Sequence, residues 1–409
     1  MIIHLRKRQM NSTFTRGMAS ATELTRSGKL QEATALIQSL MRSTPQDLGP
    51  ASSEADFAGE TIEGQFTRLD PDASEQAAAP PVASSGAQSA QPRAARFDRA
   101  PLAETLRKIS AGGMPVRGHA TGAGETAPDG AEFVSGVYDA VEGRRRYRIY
   151  VPANRSGAPM PLIVMLHGCT QTPEDFAAGT GMNRLAEEFG CLIAYPAQPS
   201  EANAQKCWNW FRPEDQARDC GEPALIAGLT LAIQSGLQAD PKRTYIAGLS
   251  AGGAAAVVVA AAYPEIFGAV GVHSGLPAGG ARDIPSAFAA MRAGSAGQPH
   301  QSIVPTIVFH GLADHTVHPK NGTAVLLQAV HAMSGLRVTT RKGKGADGGH
   351  SFRTTSHLHK DGRSLAEHWE IEGAGHAWAG GCPAGSFTDP KGPSASREMM
   401  RFFLQHKKG

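Results

Sequence analysis

The sequence predicts an α/β fold, a mostly parallel sheet with helices on both faces, behind an N-terminal segment that is first helical and then disordered. From residue 130 onward, apolar runs of strand length alternate with helix-length segments. Several runs, such as "PLIVMLHG" and "PTIVFHG", are continuously apolar, as strands buried on both faces are. Before residue 130 the composition shifts to Ala, Ser, Gly, Pro and Gln, as in "EQAAAPPVASSGAQSAQPRAA", which is too poor in large apolar groups to offset the entropy of ordering.

Three regions follow. Residues 1–43 form a helical segment in which Leu24, Leu30, Ala33, Leu36, Ile37, Leu40 and Met41 fall near one helical face and Gly28 breaks the run in two. A single helical hairpin cannot bury its own face, so it is expected to dock on a polymer, on a partner or on the folded domain. The plainer alternative is a tail helix with no specific partner. Residues 44–129 read as a linker, with a short helix near "APLAETLRKIS".

Residues 130–409 hold the folded domain. "EFVSGVYDA" and "RRRYRIYVPA" read as an antiparallel pair. "PLIVMLHG" and "CLIAYPAQ" are strands separated by the helix "MNRLAEEFG", which ends at Gly190. "PALIAGLTLAIQSG" is a helix, "RTYIAG" a strand, and "AGGAAAVVVAAAYP" a helix stopped by Pro264. "FGAVGVHSG", "PTIVFHG" and "AEHWEIEG" supply further strands, and the last helix, "SASREMMRFFLQH", starts at a Ser cap. In such a sheet, ligands bind beyond the carboxyl ends of the strands.

Whole-chain properties narrow the function. The 409 residues are 41% hydrophobic and 19% charged, the balance of a soluble globular protein. Forty basic and 37 acidic residues give a net charge of +3, too even for a nucleic-acid surface. No apolar run reaches the roughly 18 residues of a membrane span. The basic N-terminus has no apolar core after it, whether the chain starts at Met1, Met10 or Met18, so it is not a Sec signal as it stands and a cytoplasmic location is expected. None of the five cysteines forms a C-x-x-C pair, which argues against structural zinc. Cys207 and Cys220 flank "CWNWFRPEDQARDC", and a disulfide between them is expected in an oxidising compartment.

The chemistry centres on Ser250. Gly248-Leu249-Ser250-Ala251-Gly252 fits G-x-S-x-G, although a chain with 47 glycines yields about 0.4 such matches by chance. Context decides: a strand ends at Gly248 and a helix starts near Ala251, and a tight strand-to-helix turn needs glycine on both sides of the serine. A serine hydroxyl needs a histidine base oriented by a carboxylate, in the chain order Ser, Asp, His. Asp314 follows the strand-ending His310-Gly311, and His376 follows the last strand on a Gly-flanked loop. Asp283 and Asp347 lack a strand-end context, and His350, His357, His359 and His368 fall in or beside a polar loop and read as solvated. An oxyanion needs two N–H donors. Ala251 provides one, and Cys169, in the loop after "PLIVMLHG", is the candidate for the other. Trp208 and Trp210 lie beyond "CLIAYPAQ", where they either line a substrate groove or pack in the core. This chemistry needs no metal or organic cofactor.

"HGCTQTPEDFAAGTGMNRLAEEFGCLIAYPAQ", "CWNWF", "YIAGLSAGGAAA", "HGLADHTVHP" and "GAGHAWAGG" together resemble the esterase family of poly(3-hydroxybutyrate) depolymerases over about residues 130–405. The resemblance implies an α/β-hydrolase that cuts ester bonds of short-chain polyhydroxyalkanoates or smaller esters, within a superfamily that includes feruloyl and acetylxylan esterases. It implies Ser250 as nucleophile, Asp314 as acid, His376 as base, and Cys169 and Ala251 as oxyanion donors. Many such relatives are secreted, which makes an extracellular location the alternative. A non-catalytic rival is a scaffold acting through residues 19–42.

Overall fold

The computed structural model describes residues 128–155, 157–298 and 304–408. The expected segment 1–43, and the linker 44–129 up to residue 127, lie outside the described residues.

In chain order the elements are β1 (Glu132–Ala140), β2 (Gly143–Val151), β3 (Leu162–Leu166), α1 (Pro173–Thr180), α2 (Met182–Phe189), β4 (Leu192–Pro196), α3 (Gly221–Leu237), β5 (Thr244–Leu249), α4 (Ala251–Ala262), β6 (Ala269–His273), α5 (Ile284–Ala293), β7 (Thr306–Gly311), α6 (Lys320–Val330), β8 (Arg337–Lys344), β9 (Ser351–Leu358), β10 (Ser364–Ile371), β11 (Trp378–Ala379), β12 (Thr388–Asp389) and α7 (Ala395–Leu404). Ten strands form one sheet in the order β1-β2-β4-β3-β5-β6-β7-β10-β9-β8, and β11 pairs with β12 separately. From β4 to β10 the neighbours are parallel. The β1–β2 hairpin extends one edge and the β9–β8 pair the other, both antiparallel.

Every residue of β3 through β7 is buried, which accounts for their unbroken apolar sequences. Successive residues still serve opposite faces. Leu162, Val164 and Leu166 pack in one core with Ile226 of α3 and Val258 of α4. Ile163 and Met165 pack in the other with Phe176 of α1, Leu185 of α2 and Phe402 of α7. Ser394 caps α7 by accepting from the Arg397 N–H.

The stretch expected to be a polar loop, "GGHSFRTTSHLHKDGRSLAEHW", is instead largely β9 and β10. Its partner β8 carries exposed Arg337, Arg341, Lys342 and Lys344, the charges that blunt a sheet edge and disguise it as loop. The solvated reading of its histidines fails at His368, which is 3% exposed on β10. His359 is exposed, while His350 and His357 are half-buried.

Candidate active site

β5 delivers Ser250 to the carboxyl edge of the sheet in the sharp turn into α4, with φ +58° and ψ −120°. A side chain on Gly248 would strike the backbone of Gly252, and one on Gly252 would strike the carbonyls of Leu166 and His167. Both glycines are therefore required for the turn to close over β3. The Ser250 N–H donates to His273 O at 2.9 Å, which anchors the elbow to β6.

Asp314 stands in the loop after β7. Its Oδ1 accepts the N–H groups of Thr316 at 2.9 Å and Val317 at 2.8 Å. Its Oδ2 accepts from His376 Nδ1 at 2.7 Å and lies 3.5 Å from His310 Nε2. Burial alone would raise the Asp314 pKa, but the imidazole of His310 beside it and hydrogen bonds from His376 and the Val317 N–H outweigh it and hold the carboxyl far below the usual range. With Nδ1 committed to Asp314, His376 has Nε2 left to accept a proton.

The His376 loop leans back across the sheet from β10 toward β5. Leu312 N–H donates to Ile371 O at 2.8 Å, and Ala313 N–H to Ala374 O at 3.0 Å. Beyond His376, the Ala379 N–H donates to His273 Nε2 at 2.9 Å. His376 is thus carried over β7 to β6, the neighbour of the strand that bears Ser250. No hydrogen bond joins Ser250 to His376 among the described residues.

On the other side of Ser250, the loop after β3 is fixed at almost every residue. His167 is buried and neutral, its pKa lowered to about 4 by burial. Its Nδ1 lies 2.7 Å from Gly168 O, and its Nε2 accepts the Gln198 N–H at 3.0 Å. Gly168 N–H donates to Gln171 Oε1 at 2.9 Å, and Thr170 N–H to Gln205 O at 2.7 Å. The N–H groups of Cys169 and Ala251 have no acceptor among the described residues, as an oxyanion pair requires.

Cys169 is also covalently tied. The disulfide joins Cys169 to Cys207, correcting the expected Cys207–Cys220 bridge. β3 and β4 are neighbours, so the loops that follow them lie side by side and their cysteines meet. Cys220 instead turns its thiol to Glu214 O at 3.1 Å and is free, as are Cys191 and Cys382.

Trp208 and Trp210 resolve toward the core, being 0% and 5% exposed, so the groove-lining reading is corrected. Trp208 Nε1 donates to His167 O at 3.1 Å and so braces the loop after β3. The rival carboxylates serve elsewhere: Asp283 caps α5, and Asp347 is exposed in a short turn.

Of the buried histidines His273, His310 and His368, the first two had no assigned role in the sequence, and the third was expected to be solvated. His273 and His310 each end an apolar strand run, which is the signal that marks them. His273 stacks on Trp378 at 5.1 Å, and burial lowers its pKa to about 3.

The family described as Esterase PHB depolymerase matches residues 145–335, a span that includes Cys169, Ser250 and Asp314 and ends before His376. Poly(3-hydroxyalkanoate) depolymerase C of Paucimonas lemoignei is 32% identical over 237 residues, 54% of this chain and 56% of that protein. Feruloyl esterase B of Neurospora crassa is 30% identical over 205 residues, 45% of this chain and 68% of that protein. An acetyl xylan esterase structure from Aspergillus awamori superposes with a TM-score of 0.51 at 21% identity, covering 67% of this chain and 98% of its own. The chain therefore spans little more than half the length of the depolymerase relative.

Proposed function

Because the chain belongs to the PHB depolymerase family of esterases, on an α/β-hydrolase fold, we propose that it is a serine esterase acting through an acyl-enzyme, with short-chain polyhydroxyalkanoate or its oligomers as substrate. The observation that carries the reading is the Asp314–His376 hydrogen bond of 2.7 Å, which leaves Nε2 as the base. His376 takes the Ser250 proton as Ser250 attacks the ester carbonyl. The developing oxyanion is held by the N–H groups of Cys169 and Ala251. His376 returns the proton to the departing alcohol, and water activated by the same histidine releases the acid. Asp314 fixes the imidazole tautomer.

A second reading, a carbohydrate esterase acting on feruloyl or acetyl groups, draws support from the feruloyl esterase, of which this chain covers the larger share. Release assays with hydroxybutyrate oligomers, feruloyl sugars and acetylated xylan separate the two. Labelling by a fluorophosphonate tests the activated serine directly. The division into residues 1–43, 44–129 and 130–409 belongs to the same proposal, with the first segment tethering the enzyme to polymer, to a partner or to its own catalytic domain. No helix among the described residues is long and apolar enough to cross a membrane.

A further inference from the structure

The run "RRRYR" in β2 places four arginines within five residues, and three of them have acidic partners. Arg144 pairs with Asp139 at 3.3 Å, the buried Arg145 faces Glu222 at 4.0 Å, and Arg148 faces Glu174 at 3.6 Å. Arg148 also donates to Ser135 Oγ at 3.1 Å and to Phe133 O. Arg146 is exposed and has no acidic partner among the described residues.

Arg146 lines a cavity of about 540 Å³ between the β1–β2 hairpin and the start of α1. Val137 and Ser135 face it from β1, Arg148 from β2, and Pro173 and Glu174 from α1. The register explains the grouping. Val137 pairs with Arg146 and Ser135 with Arg148, so these side chains share one face of the hairpin. Arg148 and Glu174 offset each other, which leaves one positive charge on a largely apolar wall.

The cavity lies on the same sheet edge as Ser250. Ala197, which lines it, directly follows β4, and Tyr147 of β2 pairs with Pro196 at the end of β4. Thr172, also in its lining, is three residues beyond Cys169, a span of at most about 11 Å. Across the sheet, β2 is three strand spacings from β5, or about 14 Å.

We propose that this cavity is a leaving-group subsite in which Arg146 binds the free carboxylate end of a hydroxyalkanoate oligomer. The inference rests on the esterase reading above and deepens it. In a polyester of hydroxy acids, the free carboxylate belongs to the alcohol side of every ester bond. Attack by Ser250 therefore keeps the hydroxyl-terminated part as the acyl-enzyme and expels the carboxylate-terminated part, which takes the proton from His376. A 3-hydroxyacyl unit adds four backbone bonds where an amino acid adds three, about 4–5 Å by the same bond geometry. Three units on the leaving side bridge the distance from Ser250 to Arg146, and one unit does not.

The test compares kcat/KM for hydroxybutyrate tetramer and dimer, each as the free acid and as its methyl ester, with p-nitrophenyl butyrate as reference. The wild-type enzyme should prefer the tetramer acid over its methyl ester by about fivefold, the scale of a half-exposed ion pair, and show no such preference for the dimer. The preference should shrink at high salt. Arg146→Ala should bring the tetramer ratio to about one, and Arg146→Glu should reverse it. A wild-type tetramer ratio of one, or a ratio that survives Arg146→Ala, overturns the subsite while leaving the esterase reading intact. Turnover of p-nitrophenyl butyrate with none of any oligomer rejects the polyester substrate and the subsite with it.

Discussion

The two sides of the Ser250 site are built by different means. On the acid–base side, Asp314 and His376 come from loops after the neighbouring strands β7 and β10 that bond directly to each other, and Asp314 is fixed by the N–H groups of its own turn. On the oxyanion side, the loop from His167 to Thr172 is held from far away in the sequence: by Cys207 through a disulfide, by Gln205 and Trp208, and by Ser386 through Gln171. A further brace is Glu222, whose carboxylate accepts the N–H of Asn209 at 2.8 Å and so pins the segment after Cys207. One side is a local motif stiffened by buried charge. The other is a loop stiffened by a scaffold. Loss of Ser250 should remove activity without loosening the fold, and damage to the second side should do both.

The largest effect is expected at the local side. Ser250→Ala should lower kcat by several powers of ten, and Asp314→Asn by about 10³–10⁴, because the amide favours the wrong imidazole tautomer. Steady-state kinetics on a soluble ester, with a thermal melt of each variant, is the check. Substantial turnover by Ser250→Ala in a folded protein would remove Ser250 from the mechanism.

Cys207→Ser should act on the other side. Loss of one well-placed oxyanion donor costs about 10²–10³ in kcat, and a loosened donor somewhat less, so a 10- to 100-fold decrease is expected. The same change opens a loop of 38 residues, which by chain entropy removes about 4 kcal/mol of stability. Activity and melting temperature should therefore fall together, in contrast to Ser250→Ala. Full activity in Cys207→Ser would show that hydrogen bonds alone hold the loop. Alkylation without reductant should label Cys382 and Cys220 and spare Cys169 and Cys207.

This contrast also explains what was legible in the sequence. The elbow, Asp314 and His376 each carry their context within a few residues, so strand ends and glycines suffice to place them. The central strands are equally plain, because burial on both faces leaves only apolar residues. The pairing of Cys169 with Cys207 depends instead on β3 and β4 lying side by side, a tertiary fact. Nearness in sequence favoured Cys220, and the structure gives that thiol a carbonyl partner instead. Trp208 was ambiguous because an aromatic beyond a strand end packs inward or outward according to what lies above it, here the His167 loop. His368 and the β8–β9 pair were hidden by charged and polar neighbours that belong to a sheet edge.

Acid should expose a further difference. His273 and His368, near Asp314, have pKa values lowered to about 3 by burial, and His167, on the oxyanion side, to about 4. Each is neutral when folded, while the unfolded chain takes up a proton below about pH 6.5. The unfolded state then binds more protons, so stability falls as pH drops below about 6.5, by up to about 1.4 kcal/mol per pH unit for each histidine. The depressed Asp314 carboxyl contributes stability that is fully present above its unfolded pKa of about 3.9 and is lost only below it. Denaturant midpoints between pH 5 and 7 therefore report these histidines and His406, also lowered to about 4, against an opposing contribution from Glu222 and Asp215, whose pKa values burial raises. His368→Gln should reduce the slope by about one proton, and an unchanged slope would show that His368 is already charged in the fold.

The smallest effect tests whether Asp314 depends on a second histidine. His310 Nε2 lies 2.8 Å from Val317 O, so it carries the proton and donates there, with Asp314 Oδ2 3.5 Å away on the same side. The groups that face this carboxylate are His376, His310 and His273, with His368 behind His310. His310→Leu leaves the donors of Thr316, Val317 and His376 on Asp314 in place but removes the bond to Val317 O that closes the turn beneath the carboxylate. On a soluble ester, kcat should fall by only about fivefold, since the tautomer of His376 is still fixed by Asp314. His310→Gln, whose amide nitrogen reaches the position of Nε2 and can donate to the same carbonyl, should restore most of it. Full activity in His310→Leu would show that the Val317 turn holds Asp314 without the imidazole, and a loss as large as that of Asp314→Asn would show that the carboxylate depends on His310 for its place.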